Sequence, residues 1–322
     1  MQSFRRILVG VDLSHGDRFV SSDLNAPTEE AVHRALWLAS HVSGEITFFV
    51  ALELSAQAEE LLREHVAGDE PTVDDDAHAV LGQLVARAER EGVTARAKVV
   101  HGRAWEELIR ESVRERHDLL IVGTRNLGVV SRALFGSTGM KLLRYSPVPV
   151  WVTRPDPDWS DLKVLVATDF SDVAQHALDV AVRMGQLVDI KLSVVHALEP
   201  ALDTRVLRRS FTPEEVEARR RAAREESERA LHEQLARTDY RTLKFGVQPL
   251  VIEGRAERVL LDFIEQQGID LVVMGTIARG GLQGLFVGNT AERLLPQIPC
   301  SILAVKPEGF VTPVEIETEA GR

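Results

Sequence analysis

Two glycine-bearing loops carry most of the chemistry this chain offers: GTRNLGVVSRALFGST at 123–138 and GTIARGGLQGLFVGNT at 275–290. In each, one glycine (Gly123, Gly275) ends an apolar run and another (Gly136, Gly288) opens a helical pattern at the same spacing. Ser137 and Thr138 follow Gly136, whereas Asn289 follows Gly288. Hydroxyls beside the free N–H groups of a first helical turn form a cradle for an anion such as phosphate. Neither loop matches G-x-x-x-x-G-K-S/T or the dinucleotide fingerprint G-x-G-x-x-G, which sets both of those sites aside. Tight strand-to-helix turns also need glycine, so architecture is the competing account of the same residues.

Asp12 and Asp169 close strands, each two residues before a serine, Ser14 and Ser171. A carboxylate there can accept from a ribose hydroxyl or a base amino group, or it can cap the following turn, and the two readings carry similar weight. His101 and His196 also close strands, but His101 corresponds to Glu253 in the other half, so no shared role follows. Local hydrogen bonding of each imidazole is preferred to a metal site with Asp12 or Asp169. No nucleophile, base or metal set has convincing spacing, so the expectation is a non-enzyme with no catalytic residues and no metal.

These residues are placed by an element written twice. HGRAWEELIRESVRERHDLLIVGT (101–124) and EGRAERVLLDFIEQQGIDLVVMGT (253–276) are related by an offset of 152 residues, repeated at Gly102/Gly254, Asp118/Asp270 and Gly123/Gly275. Apolar runs of strand length alternate with amphipathic segments, the pattern of βαβ units around a parallel sheet. In the first half strands are expected at 6–12, 45–51, 95–101, 119–123 and 148–152, with helices from Pro27 and over 74–91, 104–114 and 137–144. The second half repeats the order: strands at 163–169, 191–196, 245–252, 271–275 and 301–305, helices at 172–187, 213–236, 256–266 and 290–295. The expected divisions are a domain over 1–155, a Pro-containing linker over 156–161, a domain over 162–307 and an acidic tail over 308–322. The tail either adds an edge strand at 314–316 or stays mobile, and the polar stretch after Ser14 is a surface loop found only in the first copy.

Composition narrows the function classes. The 322 residues carry 38 Lys+Arg against 49 Asp+Glu, a net charge of −11, which repels polyanions over most of the surface and argues against nucleic acid. The arginines at 205–224 interleave with glutamates three or four residues away, as on a solvated helix face. No apolar run reaches the roughly 18 residues of a membrane span, and the start leads straight into a strand, so a cytoplasmic protein without a membrane partner is expected. The single cysteine, Cys300, lies in an apolar run and reads as a buried thiol.

With these motifs in hand, the chain resembles the universal stress protein family in its tandem two-domain form. Members that bind ATP carry G-x-x-G-x9-G-S/T, with glycines and hydroxyl at the triphosphate and the first-strand Asp near the adenosine. The first copy here reads Gly123-x-x-Asn126-x9-Gly136-Ser137 and the second Gly275-x-x-Ala278-x9-Gly288-Asn289, so the spacing holds while the middle glycine is missing from both. Asn126 tolerates a positive φ better than Ala278, and the first loop keeps Ser137 and Thr138. GNTAE at 288–292 looks like the version in members that do not bind ATP. The resemblance implies two Rossmann-like α/β domains, each a five-stranded parallel sheet in the order 3-2-1-4-5 flanked by helices. It implies ATP as the cofactor of the first domain alone, and edge strands that pair within the chain or in a homodimer. The functional expectation is a non-catalytic stress-response scaffold or ligand-modulated regulator. The alternatives are an ATP or AMP sensor acting through the first domain, a binder of an apolar small molecule and, last, a weak nucleotide hydrolase.

Overall fold

A computed structural model of the chain describes residues 4–14, 20–21, 23–53, 72–124, 136–155, 162–199, 211–276 and 288–316. The chain divides into two compact units, Met1–Pro155 with Val311–Arg322, and Asp156–Phe310. The first unit runs β1 (Arg6–Gly10), α1 (Ala26–Val42), β2 (Glu45–Leu52), α2 (Val73–Arg90), β3 (Thr94–His101), α3 (Ala104–Arg114), β4 (Leu119–Gly123), α4 (Ser137–Tyr145), β5 (Val150–Thr153). The second runs β6 (Leu162–Ala167), α5 (Asp172–Leu187), β7 (Ile190–Leu198), α6 (Pro213–Ala236), β8 (Val247–Glu253), α7 (Ala256–Gln267), β9 (Leu271–Gly275), α8 (Asn289–Leu294), β10 (Ser301–Val305).

Within each unit the described strands pair in parallel, in the order β3-β2-β1-β4-β5 in the first and β8-β7-β6-β9-β10 in the second. Both match the expected 3-2-1-4-5. Crossover helices cover the central strands, which therefore read as continuous apolar runs: Ile7–Val9, Leu119–Ile121, Val164–Val166 and Leu271–Val273 are wholly buried. Helix starts follow their capping residues. Asn25 accepts from the Thr28 N–H at 2.9 Å ahead of Pro27. Thr72 with Asp75 and Thr212 with Glu215 close reciprocal capping boxes. The arginine-rich helix is α6; its outer turns are exposed, and Arg224 pairs with Glu228 four residues on at 3.0 Å.

The repeated residues do structural work. Gly102 and Gly254 hold φ of 139° and 144°, a region L-residues avoid, where the chain leaves β3 and β8 for a helix. Their N–H groups donate to the Leu52 and Leu198 carbonyls at 3.0 and 3.1 Å. Asp118 accepts from the backbone N–H of Arg5 and Arg6 at 2.9 and 3.0 Å, and Asp270 from that of Lys163 at 2.8 Å. These carboxylates tie the start of β4 to β1 and of β9 to β6.

Several boundaries differ from the sequence reading, each for a local reason. β1 and β6 stop at Gly10 and Ala167, so Asp12 and Asp169 lie just past the ladder. β5 begins at Val150 because Pro149 has no N–H to donate. β8 begins at Val247, since Phe245 occupies a turn ended by Gly246 at φ 66°. α8 stops at Leu294 and tightens into a 3-10 turn over Leu295–Gln297, where Pro296 cannot extend the α-helical ladder. The tail forms no strand at 314–316; Val314 is buried and the Glu315 carbonyl accepts from Arg110 Nε at 3.2 Å. The proposed linker at 156–161 lies outside the described residues. So do Arg205, Arg208 and Arg209 and most of the polar stretch after Ser14.

Candidate ligand-binding clefts

At the carboxyl ends of the first unit's strands lies a cleft of about 380 Å³. Its lining mixes apolar side chains (Val11, Phe49, Leu108) with polar ones (Asp12, Thr28, Ser137, Thr138). A parallel sheet places its ligand-binding crevice at this end, where the strand-to-helix loops gather. Asp12 is exposed there, and its Oδ1 accepts from the Ser14 N–H at 2.9 Å and hydroxyl at 2.6 Å. One carboxylate oxygen thus closes the turn, leaving the other, among the described residues, available to a ligand. Gly136 is the N-cap of α4 and contributes no side-chain cap. The first-turn N–H groups, which have no acceptor within a helix, sit beside the Ser137 and Thr138 side chains.

Two glycines here serve close packing. A Cβ on Gly123 would lie 2.4 Å from the Pro27 carbonyl oxygen of α1, and one on Gly10 would lie 2.8 Å from a Val122 methyl. Gly275 is constrained in the same way by Val173, at 2.6 Å. The architectural account of Gly123 and Gly275 therefore has direct geometric support.

The corresponding cleft of the second unit measures about 160 Å³ and is mostly apolar, with Val173, Val195, Leu260 and Met274 in its lining. Asp169 repeats the turn of Asp12, accepting from the Ser171 N–H at 3.0 Å and from its hydroxyl. His196 Nδ1 lies 2.9 Å from the Thr168 carbonyl, and its ring packs 4.2 Å from that of Phe170, which holds φ at 65°. The loop ends are joined by the Gly288 N–H donating to the Thr276 carbonyl at 2.8 Å, and Lys306 Nζ donates to the buried Thr276 hydroxyl. Asn289 opens α8 with Gly288 as N-cap, again without a side-chain cap.

The structure thus brings Asp12, Gly123, Gly136, Ser137 and Thr138 together in one cleft, and Asp169, Gly275 and Gly288 in the other. Asn126 and Ala278 lie outside the described residues. His101 Nε2 is 3.0 Å from Asp74 Oδ2, away from Asp12, and no group of three metal-ligating side chains occurs among the described residues. Cys300 is buried, and no described helix is long and apolar enough to cross a membrane.

One contrast escaped the sequence reading although the repeat offset contains it. Beside the first cleft the Lys141 ammonium lies 4.9 Å over the ring of Trp105, which follows the cleft residue Ala104. At the same offset the second unit has Arg293 and Glu257, joined at 3.1 Å. The Glu257 carboxyl is held below its ordinary value, first by its own backbone N–H and then by Arg293.

A second buried cluster lies behind β3, where Lys98 Nζ donates to Glu111 Oε2 at 2.6 Å. Glu111 Oε1 is 4.0 Å from His117 Nε2, and both residues are almost fully buried. Neither ring nitrogen of His117 has a well-formed hydrogen bond among the described residues. Burial pushes its pKa down to about 4, with Arg96 adding to the shift and the Arg6 carbonyl opposing it.

Two tandem α/β units, each with a crevice at its strand ends, define a duplicated Rossmann-like fold. The sequence profile of the Universal stress protein family matches residues 3–154 and 162–306. The chain belongs to that family, in its tandem form. It is 26% identical over 320 residues to universal stress protein E of Escherichia coli K12, covering 92% of this chain and 96% of that one. With universal stress protein E of Photorhabdus laumondii it shares 25% identity over 334 residues, covering 99% and 100%. Among solved structures, a universal stress protein of Archaeoglobus fulgidus has the same fold, with a TM-score of 0.64, 20% identity and coverage of 94% and 98%. A protein of unknown function from Pseudomonas aeruginosa PAO1 does too, with a TM-score of 0.68, 22% identity and coverage of 96% and 95%.

Proposed function

We propose that the chain is a non-catalytic, ligand-modulated stress protein whose first unit receives an adenine nucleotide and whose second unit does not. The observation that carries this reading is the difference between the clefts. The larger one places an uncapped first helical turn, two hydroxyls and a carboxylate oxygen around a mixed polar and apolar space. Phosphate suits the helix start, and a ribose or base suits Asp12. In the second unit the space is less than half as large and mostly apolar, and Thr276 is already engaged by Lys306. The hydroxyl–carboxylate contact in the first lining, Ser14 on Asp12 Oδ1, is a local turn between residues two apart, which favours a sensor or scaffold over a hydrolase. Titration calorimetry with ATP and Mg²⁺ is the test. Saturable binding near one site per chain, abolished by Gly136→Asp, is expected, because a carboxylate at the helix start repels phosphate. Absence of heat at millimolar ATP overturns the nucleotide reading.

A second reading is favoured by the apolar lining of the smaller cleft: a compact apolar molecule bound by the second unit. Native mass spectrometry of protein purified without added ligand is expected to show a small copurified adduct. A spectrum of bare protein counts against it.

A further inference from the structure

The Trp105–Lys141 and Glu257–Arg293 pairs occupy matching positions, 152 residues apart, with Trp105 and Glu257 each following a cleft-lining alanine, Ala104 and Ala256. Lys141 stands one helical turn beyond Ser137, on the same face of α4. Helical side chains lean toward the N-terminus of their helix, so its ammonium is carried back toward the turn where an anion would sit. The ammonium lies over the Trp105 ring, which follows the cleft residue Ala104 and also packs 5.6 Å from the ring of Tyr145, one turn further along α4. The contact with the ring leaves the full positive charge in place, and among the described residues Lys141 forms no ion pair. The Trp105 Nε1–H is buried there without an acceptor. In the second unit the cation of the same position is already neutralised by the Glu257 carboxylate.

We propose that Lys141 is a specificity-determining residue, reading the negative charge at the phosphate end of the first unit's ligand, and that the Glu257–Arg293 pair removes this reading from the second unit. The proposal rests on nucleotide binding by the first unit. It adds a ranking: affinity rises with each phosphate, and one ammonium group supplies most of the increment. Neither the glycine spacing nor the hydroxyls of the loop make that statement.

The experiment uses the full chain and measures dissociation constants for adenosine, AMP, ADP and ATP at fixed ionic strength and free Mg²⁺. Three variants are compared with the parent: Lys141→Met, Lys141→Arg and Trp105→Glu. The parent is expected to bind in the order ATP, ADP, AMP, tightest first. Lys141→Met, which keeps the length of the side chain, should weaken ATP about tenfold, the scale of one charge-assisted hydrogen bond, and leave AMP within about twofold. Lys141→Arg should retain the ranking. Trp105→Glu sets the second unit's carboxylate against Lys141 and should copy Lys141→Met; the methionine variant decides the question if the glutamate disturbs folding. If Lys141→Met binds ATP as the parent does, or weakens all four ligands equally, the role of Lys141 is overturned while nucleotide binding stands. A parent that binds none of the four overturns both.

Discussion

Acidification should test the buried His117 directly. Its pKa is depressed in the folded chain from 6.5 to about 4, chiefly by burial. The unfolded chain therefore binds a proton that the folded chain refuses throughout that window. Stability from this residue is complete above pH 6.5 and is lost as pH falls toward 4. Each pH unit inside the window costs about 1.4 kcal/mol, and the whole window roughly 3 kcal/mol. Urea unfolding followed by tryptophan fluorescence reads the relevant unit, because Trp37, Trp105 and Trp151 belong to it. The parent should lose stability steeply between pH 6.5 and 4.5. His117→Leu removes the titrating group, keeps an apolar side chain in place, and should flatten that slope by about one proton. Equal acid slopes in parent and variant would refute the assignment, as would a histidine proton resonance titrating near its ordinary value in the folded protein.

Two further substitutions follow from the packing of glycines. Gly123→Ala drives a methyl group into the Pro27 carbonyl and should destabilise the first unit by roughly 1–3 kcal/mol in thermal melts. Gly82→Ala, in α2 with nothing within 4 Å, should instead stabilise by about 0.5–1 kcal/mol through helix propensity. Asp118→Ala leaves the Arg5 and Arg6 N–H groups without their acceptor and should cost about 1–3 kcal/mol, read in the same urea experiment. A variant as stable as the parent would remove Asp118 from the fastening of β4 to β1.

Much of this architecture was legible because it is written in local rules. The single offset linking Gly102 to Gly254 and Asp118 to Asp270 announced the duplication, and Pro213 and Ser137 marked helix starts that the structure places at those residues. Strand ends were read less well, since Pro149 and Gly246 act through hydrogen bonding and φ rather than hydrophobicity. Asp12 and Asp169 had two readings: the turn-closing one is observed at Oδ1 of each, and the ligand-accepting one belongs to the proposed function. The burial of His117 was invisible, because a lone histidine between charged residues carries no periodic signal. Trp105 and Glu257 stood in plain register, yet their meaning needed the contacts with Lys141 and Arg293. Chemistry at a cleft depends on which helix starts converge, and sequence spacing within one loop does not supply that.

The Asp118 and Asp270 carboxylates fasten each sheet at the amino ends of its central strands, whereas both clefts open at the carboxyl ends. Five residues of strand separate the two, about 17 Å at the usual rise. The fastenings and the positions beside the clefts are therefore separate sets: Asp118 and Asp270 repeat between the halves, whereas Trp105 and Lys141 are replaced by Glu257 and Arg293. An engineer testing the proposed difference between the halves has a short list of positions to transplant, beginning with 105 and 141, and a second short list to leave untouched.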